Sequence, residues 1–433
     1  MDTIFAPGTG AGRAAIAVIR ISGPAVRDVL AAFTGCVPEP RVARLVTLRA
    51  PGSNETLDQG LGLFFPGPHS ATGEDYAELQ IHGGRAVVDG VLRALSSCPG
   101  LRPAEPGEFA RRGFANGKLD LSQAEALADL IDAQTQAQRR QALRIAGGAL
   151  RRQVESWRAT LIDALALVEA ELDFSDEGDV DAFDRRRLRD LLDPVVTQMR
   201  AALRDAPASE RMREGFLVMI LGPPNAGKST LLNALARRDL AIVSPTPGTT
   251  RDMIEAHLDV DGLPVTFVDT AGLREAADEI EKIGVDRVFK RIDAADLVLW
   301  LSPGGETAAA AEITGAATIL QVATKCDLAP CPPGWFGISA AQGAGLDALL
   351  SEVAARAKAQ LGDGGSALLI RERHRTAAAD ACAALQACLA DQKGLEFIAE
   401  DLRSAARALG RIVGTVDVED VLDAVFARFC IGK

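Results

Sequence analysis

The stretch FLVMILGPPNAGKST, residues 216–230, decides the fold of the central part of this chain. Six consecutive apolar residues, typical of a buried β-strand, run directly into a loop and then into the helix-forming segment LLNALARR. Gly222, Gly227, Lys228 and Ser229 match the pattern G-x-x-x-x-G-K-[ST]. Glycines at these places let backbone N–H groups surround phosphate oxygens, the lysine neutralises phosphate charge, and the serine hydroxyl ligates Mg²⁺. The order of strand, glycine loop and helix therefore predicts a nucleotide-binding site.

Four short motifs downstream favour GTP over ATP. They are PGTTRD (247–252), FVDTAG (267–272), ATKCD (323–327) and ISA (338–340). In order and spacing they resemble the switch I threonine, the DxxG of switch II, the guanine-reading N/TKxD and the SA loop of translation-factor GTPases. Asp327 would accept hydrogen bonds from the guanine N1–H and 2-amino group, which adenine does not offer. Thr250 and Asp269 would complete the Mg²⁺ shell near the γ-phosphate.

Two positions depart from that pattern. Thr324 stands where asparagine is usual. Because threonine is shorter, we expect it to lose a bond to the base and one to the phosphate loop, with the aspartate of the motif preserving specificity. Leu273 stands where many regulatory GTPases have the glutamine that orients the attacking water. A predicted switch II helix supplies carboxylates instead, although such residues are also typical of a solvated helix face: Glu275, Glu279 and Glu281.

Composition predicts a soluble, multidomain protein of the cytoplasm. With 433 residues the chain is too long for one ordinary core and predicts two or three domains. Its apolar runs are strand-sized, which argues against a membrane span, and its N-terminus lacks the pattern of a secretory signal. Seven cysteines without a C-x-x-C pair indicate reduced thiols rather than a disulfide or zinc framework. The net charge of −12 argues against general nucleic-acid binding, so any such contact must be local.

The spacing of apolar residues divides the chain into four segments, and together they predict a multidomain fold with α/β and all-α domains. Residues 1–118 predict an N-terminal α+β domain, because IAVIRIS, RVARLVTLRA, LGLFFP and YAELQIH have the composition of strands. The segments PAVRDVLAAF and RAVVDGVLRAL have the apolar spacing of helices. Residues 119–210 and 362–433 predict the two halves of a helical domain. Residues 211–361 alternate strand and helix, which predicts an inserted P-loop G domain with a parallel sheet and flanking helices.

Helix boundaries are predicted from capping and spacing. Ser122 followed by Glu125 fits a capping box, after which a long helical pattern runs towards Phe174. We expect a further helix over roughly 183–205, and a return to helical structure from about Glu372 to the end of the chain.

Motifs spread over the whole chain resemble one family of tRNA-modifying GTPases. IAVIRISG, GEDYAELQIHGG, PGEFARRGFANGKLDLSQAEALADLIDA, GPPNAGKST, PGTTRD, DTAGLRE, IEKIG and the terminal FCIGK together resemble the family known as MnmE or TrmE. The resemblance implies a homodimer that works with the flavoprotein MnmG in a heterotetramer or larger complex. It implies addition of an aminomethyl or carboxymethylaminomethyl group to C5 of the wobble uridine of certain tRNAs. The one-carbon unit would come from 5-formyl- or 5,10-methylene-tetrahydrofolate bound in the N-terminal domain, and K⁺ would assist GTP hydrolysis.

The same resemblance assigns residues to these roles. Folate binding is assigned to Arg20, Glu78, Lys118 and Lys433. On residue type alone, the first two are better explained as ordinary strand residues on a solvated face. Orientation of the attacking water is assigned to Glu281. The metal ligands are Ser229 and Thr250 for Mg²⁺, and Asn225, Ser244, Thr246 and Thr249 for K⁺. The motifs and the resemblance together give the GTP-binding set Asn225, Ala226, Gly227, Lys228, Ser229, Thr230, Ser244, Thr249, Thr250, Asp269, Thr270, Ala271, Gly272, Thr324, Lys325, Asp327, Ser339 and Ala340.

The terminal segment Cys430–Lys433 admits three interpretations. A prenylation box usually has an aliphatic residue where Gly432 stands, so that explanation is poor. An inert tail is the plain alternative, since chain ends often fray. The apolar helical pattern VEDVLDAVFARF instead predicts that the last residues dock. The family resemblance places them beside the folate, where Cys430 would be a catalytic thiolate, nucleophile or base, with a purely structural thiol as the alternative.

Two arginine clusters are candidates for contact with tRNA. They are RRQALRIAGGALRR (139–152) and RERHR (371–375). Solvated helix faces explain such clusters more often than RNA contacts do.

Two functions of other classes stay open at this level. A ribosome-assembly GTPase of the Era type would carry an RNA-binding domain such as a KH fold after its G domain, whereas the corresponding part of this chain is predicted to be helical. A folate-binding protein with a regulatory GTPase attached, and no chemistry of its own, is compatible with the G motifs.

Overall fold

The fold is taken from a computed structural model of the chain. It describes residues 2–10, 12–53, 55–174, 184–237, 241–242, 254–269, 294–304, 318–362, 367–390, 393–416, 422, 425–426, 429 and 432. The chain divides into two compact units. The first consists of Met1–Ala128, Ala146–Ser156 and Ala406–Lys433, and the second of Asp129–Ile145 and Trp157–Ala405. The four-segment division predicted from the sequence stays a prediction.

A six-stranded sheet organises the first unit. Its strands lie in the order β3-β4-β5-β2-β1-β6, and every neighbouring pair is antiparallel except β1 with β6. The strands are β1 (Thr3–Pro7), β2 (Ile16–Ser22), β3 (Arg44–Arg49), β4 (Thr56–Phe65), β5 (Tyr76–His82) and β6 (Leu101–Pro103). One face of the sheet packs its alternate apolar residues against helices α1 (Val26–Thr34) and α2 (Arg85–Ser96).

The strands and helices expected in residues 1–118 are confirmed, with two strands added. The sequence predicted β2 to β5 and both helices, since each has the appropriate periodicity. It missed β1 because four consecutive residues of that strand are buried, so the alternation that marks a half-buried strand is absent. It missed β6 because a three-residue strand is too short to show a period. A third helix, α3 (Glu108–Ala115), covers part of the other sheet face through Phe109.

A seven-stranded sheet organises the inserted segment in the second unit. Its order is β13-β12-β11-β7-β10-β9-β8. The first five strands in this order are parallel to one another, whereas β9 pairs antiparallel with both β10 and β8. The strands are β7 (Phe216–Leu221), β8 (Ala241–Ile242), β9 (Ile254–Val260), β10 (Leu263–Asp269), β11 (Leu297–Pro303), β12 (Thr318–Thr324) and β13 (Phe336–Gly337). Helices α8 (Lys228–Ala236) and α9 (Leu346–Leu361) pack on it around the fully buried Phe216 and Phe267. The predicted parallel sheet with flanking helices is confirmed.

The remaining helices differ in length from those predicted. They are α4 (Leu121–Asp132), α5 (Gln136–Ala146), α6 (Ala149–Phe174), α7 (Arg185–Glu214), α10 (Glu372–Cys388) and α11 (Leu395–Val413). The single helix expected to run to Phe174 is wrong, because the chain breaks at 133–135 and again at Gly147–Gly148. The helix expected over 183–205 continues to Glu214 despite two internal prolines. The helical structure expected from Glu372 onward is present as two helices, α10 and α11.

The capping box at the start of α4 lies two residues earlier than predicted. Asp120 Oδ1 accepts from the backbone N–H of Gln123 at 2.9 Å, and Gln123 Oε1 accepts from the N–H of Asp120 at 3.0 Å. Ser122, predicted as the cap, lies inside the first turn and donates to Asp120 Oδ1 at 2.6 Å. Asp120 and Gln123 satisfy the same reciprocal pattern with a stronger acceptor, which explains the correction.

No helix within the described residues is long and apolar enough to span a bilayer.

Candidate functional site

The residues predicted to bind the nucleotide lie where the parallel strands of the second unit end. The loop after β7 carries Asn225 to Gly227, β10 ends at Asp269, β12 ends at Thr324, and Ser339 follows β13. Because neighbouring parallel strands present their carboxyl ends at one edge of the sheet, these residues share that edge.

The loop after β7 has the conformation that a phosphate cradle needs. Gly222 has φ +148°, and a β-carbon there would lie 2.2 Å from the carbonyl oxygen of Leu301, so only glycine fits. Asn225 adopts a left-handed conformation with φ +59°. The Lys228 ammonium donates to the carbonyl oxygens of Gly222 and Pro223, both at 3.0 Å. The lysine is thereby held across its own loop at the N-terminus of α8, where positive potential favours phosphate.

Ser229 and Asp269 meet at the base of this loop. The Ser229 hydroxyl donates to Asp269 Oδ2 at 2.7 Å, and Asp269 is buried at the end of β10. A hydroxyl and a carboxylate oxygen are ligands that suit Mg²⁺ and its bound waters. These two oxygen atoms are therefore candidate ligands for Mg²⁺ or for its bound waters.

Thr324 corrects one expectation from the sequence. Its hydroxyl donates to the carbonyl oxygen of Ala226 at 2.8 Å, so the bond to the phosphate loop that we expected to be lost is present. The following residues form a tight turn: Lys325 has φ +59°, and its carbonyl accepts the N–H of Leu328 at 2.9 Å. This turn leaves Asp327 exposed, as a residue that reads a base edge must be.

The Thr324 contact gives a testable prediction. In Thr324→Val the phosphate loop loses its bond to the guanine-reading turn and is less well positioned for the nucleotide. We expect GDP affinity to fall by roughly tenfold, equivalent to about 1.4 kcal/mol. Isothermal titration of purified protein with GDP measures this effect. Thr324→Ser keeps the hydroxyl and is the matched control. Equal affinity in the valine variant and the parent protein would show that the contact does not support binding.

Several predicted residues lie outside the described residues. They are Ser244, Thr246, Thr249, Thr250, Thr270, Ala271, Gly272, Glu281, Cys430 and Lys433. Their assigned roles stay predictions.

The first unit brings Arg20, Glu78 and the end of the chain together. Arg20 and Glu78 are register partners on β2 and β5, with Arg20 Nε 3.5 Å from Glu78 Oε1. Arg20 Nη1 donates to the carbonyl oxygen of Gly432 at 3.0 Å. Gly432 has φ +99°, and a β-carbon there would lie 2.1 Å from the carbonyl oxygen of Pro7. The penultimate residue is thus seated on β1 beside Arg20, although 412 positions separate the two in sequence.

Tyr76 adds a contact that the sequence analysis missed. Its hydroxyl donates to Glu78 Oε1 at 3.0 Å. Burial raises the pKa of Tyr76 far above its ordinary value, so the phenol stays protonated and remains a donor. The signal was available, because Tyr76 and Glu78 are two apart on one strand and so share a face.

Lys118 lies at the neighbouring turn 70–74. It is exposed, and its Cε is 3.1 Å from the position that a β-carbon on Gly73 would take. Ser22, two residues after Arg20 on β2, bonds Thr72 and Glu74 of the same turn, each at 2.7 Å. The turn is therefore tied to the strand that carries Arg20.

A charge network fixes that turn against α3. Arg112 donates to Glu74 at 3.1 Å and to Glu108 at 2.9 Å. Burial alone would raise the pKa of Glu108, but hydrogen bonds from Arg102, the Glu105 backbone and Arg112 together hold it below its ordinary value. The ionised network makes the surroundings of Arg20 and Lys118 a preformed surface rather than a loose loop.

The two arginine clusters differ in their environments. Arg371, in the cluster at 371–375, forms a 2.7 Å ion pair with Asp129, and Arg375 lies 3.7 Å from Glu210. A structural role therefore explains that cluster better than RNA contact. In the cluster at 139–152, Arg139, Arg140 and Arg144 are exposed on α5. Contact of this exposed cluster with tRNA stays a prediction.

The matches to known proteins extend over the whole chain. Residues 121–430, well over half of it, match the family model described as "MnmE helical domain", and residues 3–118 match "GTP-binding protein TrmE N-terminus". A protein of Beijerinckia indica is 51% identical over 435 residues, covering 100% of this chain and 96% of that protein. One of Methylobacterium sp. (strain 4-46) is 55% identical over 445 residues, covering 100% of both. A protein of Methylorubrum populi is 54% identical, covering 100% of this chain and 98% of its own. All three carry the name "tRNA modification GTPase MnmE".

Proposed function

This chain belongs to the MnmE (TrmE) family of tRNA modification GTPases, and from that premise we propose the reaction it serves. It hydrolyses GTP to drive addition of an aminomethyl or carboxymethylaminomethyl group to C5 of the wobble uridine of certain tRNAs. It acts in the cytoplasm as a homodimer, together with the flavoprotein MnmG. The meeting of Arg20, Glu78 and Gly432 carries the proposal, because it joins a candidate folate surface to the C-terminal segment of a GTPase chain.

Nucleotide binding uses the edge described above. Lys228 exchanges its two carbonyl acceptors for β- and γ-phosphate oxygens, which are stronger partners because they are charged. Ser229 and Asp269, which meet at 2.7 Å, would hold Mg²⁺ directly or through water. Thr250 would be a further ligand. Asp327 reads the guanine edge, Thr324 fixes that turn to the phosphate loop, and Ser339 and Ala340 line the base.

Hydrolysis requires charge compensation and an oriented water. We assign K⁺ binding to Asn225, Ser244, Thr246 and Thr249, where the ion would supply the positive charge that other GTPases take from an arginine finger. We assign orientation of the water to Glu281. The left-handed Asn225 supports the first assignment, since it shows that this residue belongs to the loop rather than to the helix that follows.

The surface around Arg20 fits a folate. Arg20 Nε is buried without a hydrogen-bond partner among the described residues. It forms an ion pair with Glu78, but at 3.5 Å from Glu78 Oε1 it makes no hydrogen bond to that carboxylate. A ligand that supplies an acceptor to Arg20 and an amidine-like edge to Glu78 would satisfy both groups. Lys118 and Lys433 supply positive charge for the glutamate tail. When bound, the tetrahydrofolate supplies a one-carbon unit, and Cys430 is the candidate nucleophile or base beside it.

Removing Arg20 should separate folate binding from GTP binding. In Arg20→Ala we expect the affinity for 5-formyltetrahydrofolate to fall by about tenfold or more, as loss of a charge-assisted bond costs about 1.5–3 kcal/mol. Calorimetric titration of the full-length protein measures it, and GDP binding should not change. Arg27→Ala is the matched control, because Arg27 forms an exposed pair with Asp75 on the same unit. Unchanged folate affinity in Arg20→Ala would remove Arg20 from the site.

Reconstitution tests the whole reaction. Purified protein, the flavoprotein, GTP, 5,10-methylenetetrahydrofolate, an amine donor and tRNA lacking the modification are combined, and the nucleosides are analysed by mass spectrometry. We expect a C5-substituted uridine that depends on GTP. Its absence, with both proteins competent for their ligands, would contradict the proposal.

A further inference from the structure

Two cysteines, one inside the guanine-reading segment and one shortly after it, place their thiols beside Gly337. Cys326 lies between Lys325 and Asp327, and Cys331 follows five residues later. A β-carbon on Gly337 would lie 2.9 Å from Cys331 Sγ and 3.3 Å from Cys326 Sγ, so both sulfur atoms occupy the space that glycine leaves. Partial burial raises the pKa of the Cys331 thiol, and the nearby Cys326 thiol raises it further. The two sulfur atoms therefore lie on the same side of Gly337.

The environment of the pair gives the two thiols different accessibility. Cys331 is exposed, whereas Cys326 is partly buried. The Cys326 thiol donates to the Ala323 carbonyl oxygen at 3.2 Å, and the Cys331 thiol donates to that of Trp335 at 3.3 Å. An external reagent thus reaches Cys331 first, and Cys326 stands behind it in the position of a resolving thiol.

We propose that Cys326 and Cys331 form a reversible disulfide that lowers the affinity of the chain for guanine nucleotides. The oxidant is a small-molecule disulfide such as oxidised glutathione. The Cys331 thiolate attacks one of its sulfur atoms, forming a mixed disulfide and releasing one small thiol. The Cys326 thiolate then attacks Cys331 Sγ and expels the second small thiol. The protein gives up two protons and two electrons, and the small disulfide is reduced to two thiols.

Closing that bond should disturb the turn that carries Asp327. The two sulfur atoms must approach to about 2.05 Å, and both thiol hydrogen bonds disappear because the protons that make them are lost. Pro330 and Pro332 fix the backbone φ on either side of Cys331. The backbone of Cys326 is tied to β13 through its N–H to the Ile338 carbonyl oxygen at 3.1 Å. The adjustment therefore falls on residues 327–329, which include the aspartate that reads guanine.

The inference rests on the proposed guanine-reading role of this segment, and the experiment separates the two. Full-length protein is reduced and its affinity for fluorescent GDP is measured, then it is treated with oxidised glutathione and measured again. The affinity of the reduced protein for GDP tests the proposed guanine site independently of the disulfide, and we expect tight binding. After oxidation we expect roughly tenfold weaker binding, reversed by dithiothreitol. Both cysteines lie in one tryptic peptide, 326–356, so mass spectrometry detects the bond as loss of two hydrogens from that peptide.

Matched variants show whether the Cys326–Cys331 bond causes the loss of GDP affinity on oxidation. Cys331→Ser should bind GDP as tightly as the parent and stay insensitive to oxidised glutathione. Cys98→Ser removes a thiol of the other unit and should behave like the parent protein. The proposal is overturned if the peptide retains glutathione on Cys331 without the internal bond, if the bond forms with affinity unchanged, or if Cys331→Ser loses affinity on oxidation as the parent does.

Discussion

Lys228→Ala should lower the affinity for GTP by about 100-fold or more, equivalent to about 2.7 kcal/mol. The ammonium is already held across the phosphate loop by the carbonyl oxygens of Gly222 and Pro223, each at 3.0 Å. Its removal takes away the side-chain cation that we assign to the β- and γ-phosphates, and backbone N–H groups do not replace a full positive charge. Fluorescence titration with a labelled GTP analogue measures the loss.

Lys358→Ala is the matched control for that variant. Lys358 is an exposed lysine on α9, so its removal changes net charge equally without touching the loop. An affinity of Lys228→Ala within threefold of the parent protein would mean that the nucleotide lies elsewhere.

Glu281→Ala should keep GTP affinity and slow hydrolysis by about 100-fold, in the range typical of a lost general acid–base or water-orienting group. We expect this because Leu273 stands where many regulatory GTPases have the water-orienting glutamine, and a leucine side chain cannot hydrogen-bond a water. Another residue must therefore orient it. Single-turnover hydrolysis with saturating GTP and K⁺ separates this rate from binding.

Glu275→Ala and Glu279→Ala are the controls for Glu281. They remove carboxylates from the same segment and should hydrolyse GTP normally. If Glu281→Ala hydrolyses GTP at the parent rate while one of the other two is slow, the assignment passes to that residue.

Local patterns were sufficient for much of the fold. The strand–glycine loop–helix order at 216–236 and the alternating strands β2 to β5 carry their information within a few residues, so the sequence predicted them. Helix ends were less predictable because several residues compete for one role. Both Ser122 and Asp120 begin an acceptable capping pattern, and only the structure shows that Asp120 and Gln123 form it.

The errors and omissions at the sites involve residues distant in sequence. Thr324 reaches Ala226 across 98 positions, so the expectation based on side-chain length alone was wrong. The contact of Arg20 with Gly432 depends on the docking of the last residues, which residue types predicted only in outline. Likewise, a count of C-x-x-C pairs could not reveal Cys326 and Cys331, because the placement of both thiols beside Gly337 depends on the space that this glycine leaves.

The most direct test is nucleoside analysis of tRNA from cells that lack this chain. The gene is deleted in the parent organism and reintroduced either as the natural sequence or as Lys228→Ala. We predict that the C5 substituent of the wobble uridine disappears on deletion, returns with the natural sequence, and stays absent with Lys228→Ala at equal protein level. Unchanged wobble-uridine modification in the deletion strain would contradict the account.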